Sequence, residues 1–172
     1  MRPLILAGAL AGVLFAQQFK FNLDHLAGKA SDTIDLSLNS SLLQLGAAFL
    51  DTKDPDEAKV KKLIVGLEGI YIKHFEFKKE GQYTQADVDQ IRNQLKAPDW
   101  QRMVGINSTE DGENIEVWVR SQSGKVDGVA IIAADPTSLL VANIVGSVPL
   151  DSLAELGGHF NIPKMKMKTK NK

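Results

Sequence analysis

The chain contains no cysteine. That absence excludes a disulfide framework, a thiol nucleophile, a thiolate metal site and a lipid-modified N-terminal cysteine. Stability must come from an apolar core and its hydrogen bonds alone. Histidine is scarce: His25, His74 and His159 are widely separated, and no pair has the one-turn helical spacing of a zinc protease. No Gly-x-Ser-x-Gly elbow, Ser-x-x-Lys pair, Gly-x-Gly-x-x-Gly loop or phosphate-loop lysine occurs. Carboxylates are plentiful, but their positions have structural reasons. Asp54, Asp56 and Glu57, like Asp87 and Asp89, fall in the first turns of expected helices, where the helix dipole favours negative charge. Thr109 to Glu113 lacks the alternating ligand spacing of a calcium loop and reads as a solvated hairpin turn. The expectation is a non-enzymatic chain with no cofactor and no metal site.

Long apolar runs are also missing beyond the N-terminus. A membrane span needs about 20 such residues. The one sustained run, Leu4 to Phe15, is shorter than that. It follows Met1-Arg2-Pro3 and is closed by Ala16 ahead of Gln17-Gln18. A positive leader, a short apolar stretch and a small residue are the parts of a secretory signal peptide. Residues 1–16 are therefore expected to be removed near Ala16, leaving a periplasmic or secreted protein with no membrane span.

A basic face is lacking too. Residues 17–163 hold 14 basic against 21 acidic side chains, while Lys164, Lys166, Lys168, Lys170 and Lys172 crowd the last nine positions. An acidic body argues against nucleic-acid binding. The lysine-rich tail, 161–172, reads as a disordered terminus, or as a weak contact with an anionic membrane surface.

What is present is one domain's worth of alternating pattern. Residues 17–32 form a lead-in anchored by Phe19, Phe21, Leu23 and Leu26, and residues 33–160 a single α+β domain. Thr33–Leu38 alternates polar and apolar, the period of a half-buried strand. Asn39 or Ser40 caps a helix whose Leu42, Leu43, Leu45, Gly46 and Phe49 are mostly core-facing. Asp54-Pro55 starts a second helix, and Thr84 with Asp87 forms a capping box for a third. Gly69–Phe77 is a strand by its β-branched and aromatic content. Strands follow at Trp100–Ile106, Asn114–Arg120, Val126–Ala133 and Leu139–Val145, with turns at Asp111-Gly112 and Ser123-Gly124. A short helix at Leu150–Leu156 ends at Gly157-Gly158. The predicted fold is an antiparallel sheet, a four-strand C-terminal meander plus one or two N-terminal strands. Three to four helices cover one face of it.

The alternation of Ile115, Val117 and Val119 sets Glu116, Trp118 and Arg120 on the opposite side of their strand. A tryptophan flanked by charges suits an exposed binding patch. Burial of the ring under a helix or the lead-in is the other reading.

The segments Asp54–Leu63, Leu67–Tyr71, Trp100–Val104, Gly112–Arg120, Gly128–Ile132 and Val141–Gly146 resemble the domain of unknown function 4252 family of exported bacterial proteins. The resemblance implies no catalytic residues. Many relatives look like lipoproteins; this chain has no cysteine to carry such a lipid. It also implies an association with envelope-stress sigma and anti-sigma factors, hence an envelope-sensing or regulatory role. The leading expectation is a domain that binds a protein or envelope component. The alternative is a carrier of a small ligand or lipid in an apolar cavity.

Overall fold

The computed structural model of the chain describes residues 19–148. The expected signal peptide, the expected helix at 150–156 and the lysine-rich tail lie outside the described residues. After a 3-10 turn at Asp24–Leu26 come β1 (Asp32–Asn39), α1 (Ser40–Ala48), α2 (Pro55–Val65) and β2 (Leu67–Glu76). Then follow α3 (Gln85–Gln94), β3 (Trp100–Asn107), β4 (Asn114–Gln122), β5 (Lys125–Asp135) and β6 (Ser138–Gly146).

Local chemistry explains the boundaries. The Asn39 side chain accepts from the Leu42 amide at 3.0 Å and caps α1. Asp54 caps α2 by accepting from the Asp56 and Glu57 amides, with Pro55 in the first turn. At α3 the Thr84 amide donates to Asp87 Oδ2 at 2.8 Å, the return arm of a capping box. Ser123 and Gly124 both have positive φ, 50° and 77°, and join β4 to β5 as a two-residue hairpin turn.

The six strands form one antiparallel sheet in the order β1-β2-β6-β5-β4-β3. The chain is thus α+β, with three helices among the described residues. No helix among them is long and apolar enough to cross a membrane.

The helices do not share one face, which corrects the expected layering. On the first face, α3 and the lead-in press Phe19, Leu23, Leu26, Val88, Ile91 and Leu95 onto Phe75, Ile132, Leu139 and Val141. The lead-in is therefore part of the core. Asn143, fully buried in the sheet, accepts from the Phe19 amide and donates to the Val129 carbonyl. On the second face, α1 and α2 place Leu43, Leu63 and Ile64 against Val119, Val129 and Ile144. The physical reason is that the central strands are apolar on both sides, so each side needs cover.

Two local expectations also fail. Strand β1 is an edge, and its Ile34 and Leu36 are 54% and 36% exposed instead of half-buried. Helix α1 buries Leu43 and Ala47 but exposes Leu42, Leu45 and Phe49, so it is not mostly core-facing.

Candidate apolar binding groove

Strand alternation and register decide what the second face offers. Cross-strand pairing aligns Leu36, Ile72, Ala142, Ile131 and Val117 in one row across β1, β2, β6, β5 and β4. Beside it runs Leu38, Ile70, Ile144, Val129 and Val119. On the far side the row is Ile34, His74, Leu140, Ala133 and Ile115. Of these fifteen side chains only His74 is polar, and its Nε2 lies 3.2 Å from Ser138 Oγ.

The α1–α2 hairpin covers the second row and leaves the other two partly open. Between them lies a groove of about 300 Å³, floored by Ile72, Ile131, Leu140 and Ala142 and walled by Leu63 of α2 and Val148. Every described residue that lines it is apolar. A cavity of about 150 Å³ with apolar walls already holds benzene, so this space takes a small apolar group or a few side chains. Among the described residues, no polar side chain lines it to orient a reacting centre.

The approach of α2 to the sheet depends on backbone proximity at the end of β6. The Ser147 amide donates to the Gly66 carbonyl at 2.8 Å. Gly146 has φ +118°, and a Cβ there would sit 2.6 Å from the Glu68 nitrogen and the Gly66 oxygen. Only glycine fits both the conformation and the contact.

Glu116, Trp118 and Arg120 are on the other face, brought together beneath α3 and beside β3. Glu116 is 3% and Arg120 5% exposed, and the Trp118 ring packs against the first core. Arg92 Nε donates to Glu116 Oε1 at 2.6 Å, and the Trp118 indole donates to Glu116 Oε2 at 3.0 Å. Arg120 donates to Asp127 Oδ1 at 2.9 Å while its guanidinium lies 5.7 Å from the Trp100 ring centroid. These are internal polar struts, and they do not form an exposed patch.

A second, polar cleft of about 660 Å³ runs between the lead-in and strands β1 and β2. Its charges neutralise one another: Lys73 Nζ reaches Asp24 at 2.6 Å and Asp35 at 2.8 Å. Burial works against the Lys73 ammonium, but hydrogen bonds to both aspartates outweigh it and raise the pKa above the ordinary 10.5. The hydrogen bond from Lys73 holds Asp24 below its usual value. Neither group is poised to exchange a proton near neutral pH. Among the described residues, no group of three His, Asp or Glu side chains is arranged to hold a metal ion.

Sequence reasoning put Ile115, Val117 and Val119 on one side of their strand but missed the groove. The available signal was the apolar character of both faces of β5 and β6, more than three short helices can cover. No curated protein matches the chain. Residues 26–156 match the family model described as a domain of unknown function, DUF4252, and the chain belongs to that family.

Proposed function

We propose that this is a non-catalytic, exported binding domain whose second sheet face takes an apolar segment of an envelope protein into the groove. The observation that carries the reading is the unpaired apolar surface that this side of the sheet and its helices present. The groove opens beside exposed Ile34 and Leu36, and the same side of the sheet carries Leu42, Leu45 and Phe49 of α1, the last 82% exposed. Leu42, Leu45 and the C-cap residue Phe49 recur at helical spacing, so they form one stripe along α1 and its C-terminal end. A stripe and groove together resemble the receiving half of a helix-in-groove contact, which is read by apolar anchors. An envelope-stress regulatory role, which the family resemblance suggests, would place the partner among the envelope's signalling proteins.

The concavity of the groove supports a second reading, a carrier of a small apolar ligand. One experiment separates the two. A photo-cross-linking side chain is placed at Leu36 or Leu140 in the groove, and at Lys29 as a control away from it, in the exporting cell. A single envelope protein captured from both groove positions and not from Lys29 supports the proposal. Equal capture from all positions defeats it. A retained apolar mass in native mass spectrometry, without protein capture, replaces it with the carrier.

A further inference from the structure

The two edges of the sheet are built differently. At β3 the register slips between Arg102 and Val104, and a bulge beside a charged side chain blunts an edge against pairing. At β1 the pairing with β2 runs unbroken over eight residues, which include no lysine, arginine, proline or glycine. Of its two acids, Asp35 is held by Lys73 Nζ at 2.8 Å and Asp32 stands at the strand's end. Among the described residues, nothing pairs with the outer side of β1.

Backbone alternation shows what that outer side offers. The Phe77 amide donates to the Thr137 carbonyl, in register with Phe75 opposite Leu139. Bonded pairs recur at every second residue of an antiparallel pair. Odd-numbered residues of β2 therefore bond toward β6, and even-numbered ones toward β1. Glu76 agrees, its carbonyl accepting from the Ser31 amide. Ile34, Leu36 and Leu38, opposite His74, Ile72 and Ile70, direct their backbone groups to β2. Thr33, Asp35 and Ser37 turn theirs outward.

The side chains of β1 are self-complementary. With Leu36 opposite Leu36 of a second copy, Ile34 meets Leu38, Asp35 meets Ser37 and Thr33 meets Asn39. All three apolar residues then find apolar partners on one face, and no like charges are opposed. A centre at Asp35 would oppose two carboxylates and set Leu38 against Asp32. A centre at Ser37 would leave Ile34 against Ser40, beyond the strand.

We propose that β1 is a homodimer edge: two copies pair β1 with β1, antiparallel about a twofold axis at Leu36, and join their sheets into one. A twofold contact uses the same patch on both copies, which is what this strand supplies. Pairing by edges leaves the sheet faces uncovered, and it sets the Leu36 ends of two grooves side by side. The proposal does not rest on what the groove takes.

The chain is purified as the cell produces it, and its mass is followed by sedimentation velocity from about 1 to about 500 µM, the range for a contact at the small end of interface size. The expected result is a shift from one chain to two. Ser37→Pro removes an outward amide that β2 does not use. It is expected to weaken association at least tenfold while the dilute protein keeps its melting temperature. The chain has no native cysteine, so engineered thiols report the register. Leu36→Cys should link to itself on mild oxidation, since directly opposed residues lie about 4.5–5.5 Å apart, within disulfide reach. Ile34→Cys should link only when mixed with Leu38→Cys, because two Ile34 positions lie four residues apart, about 14 Å.

A single chain at every concentration overturns the proposal, whether a segment outside the described residues or another protein's strand takes the edge. A dimer that Ser37→Pro leaves intact, with no Leu36→Cys link, also overturns it, since the contact then lies elsewhere. So does self-linking of Ile34→Cys with none at Leu36→Cys, which sets a different register. Should Ser37→Pro not fold, the cysteine links decide alone.

Discussion

Arg92 of α3 and Glu116 of β4 form a 2.6 Å hydrogen-bonded ion pair inside the first core, with the Trp118 indole closing the carboxylate's other oxygen. Burial opposes the Arg92 charge, but the bonds to Glu116 and Asp89 outweigh it and hold the guanidinium protonated. Removing one partner strands a buried charge, which costs more than the pair contributes. Arg92→Met should therefore destabilise the fold by about 3 kcal/mol. Arg92→Met/Glu116→Gln should recover more than half, because the indole keeps an acceptor and no charge is left. Urea unfolding of the two variants and the parent checks this. Equal losses in the single and double variants would show that the ion pair is not the cause.

The same helix predicts an acid-sensitive step. Asp87 is largely buried, which works against its carboxylate. The amide and hydroxyl of Thr84 and the nearby His25 outweigh that and hold its pKa below the ordinary 3.8. A depressed folded-state pKa contributes stability above the unfolded value, and that stability disappears as pH falls through the folded value. Thermal stability should accordingly drop below about pH 3.8, and Asp87→Asn should flatten that limb while costing about 1 kcal/mol at neutral pH. Parallel acid limbs for the two proteins would refute the assignment.

These contacts also show why part of the molecule was legible in sequence and part was not. Alternation and turn residues located the strands, and Asp54-Pro55 and Thr84 with Asp87 located two helix starts, because each is set by neighbours in the chain. The side of Trp118 was legible as well. Its cover was not, since α3 reaches Glu116 through Arg92, 24 residues earlier. The groove was hidden for a related reason. A strand such as Val129–Ala133, apolar on both sides, carries no information about which helix covers which face. The layering is tied by the Ser147 amide on the Gly66 carbonyl and by Asn143 holding Phe19, both long-range relationships.

The turn between β4 and β5 gives a prediction of opposite sign at adjacent residues. Ser123 is the one described non-glycine residue with positive φ, and a type I′ turn requires that conformation at both central positions. Asparagine adopts it more readily than serine. Ser123→Asn should stabilise by a few tenths of a kcal/mol, and Gly124→Ala should destabilise by about 1 kcal/mol. Differential scanning calorimetry of both variants reads the signs directly. A loss of melting temperature in Ser123→Asn would mean the hydroxyl has a partner that the turn geometry does not explain.

Gly146 tests whether the groove depends on backbone contact. A methyl group there meets the backbone of Gly66, Leu67 and Glu68, and the positive φ adds strain for any L side chain. No side-chain rotation relieves contact with backbone atoms, so the α2–β2 junction must lift from the end of β6. Gly146→Ala should destabilise by on the order of 3 kcal/mol. The junction carries Leu63 and Leu67, both in the groove wall, so lifting it should also change the folded variant's affinity for phenylnaphthylamine, an apolar dye. Gly124→Ala is the control: it strains a turn, and its glycine has open space around it. A larger loss of stability in Gly146→Ala than in Gly124→Ala, with dye binding altered only in Gly146→Ala, is the expected result. Unchanged dye binding in Gly146→Ala would mean that the groove does not depend on where the junction sits.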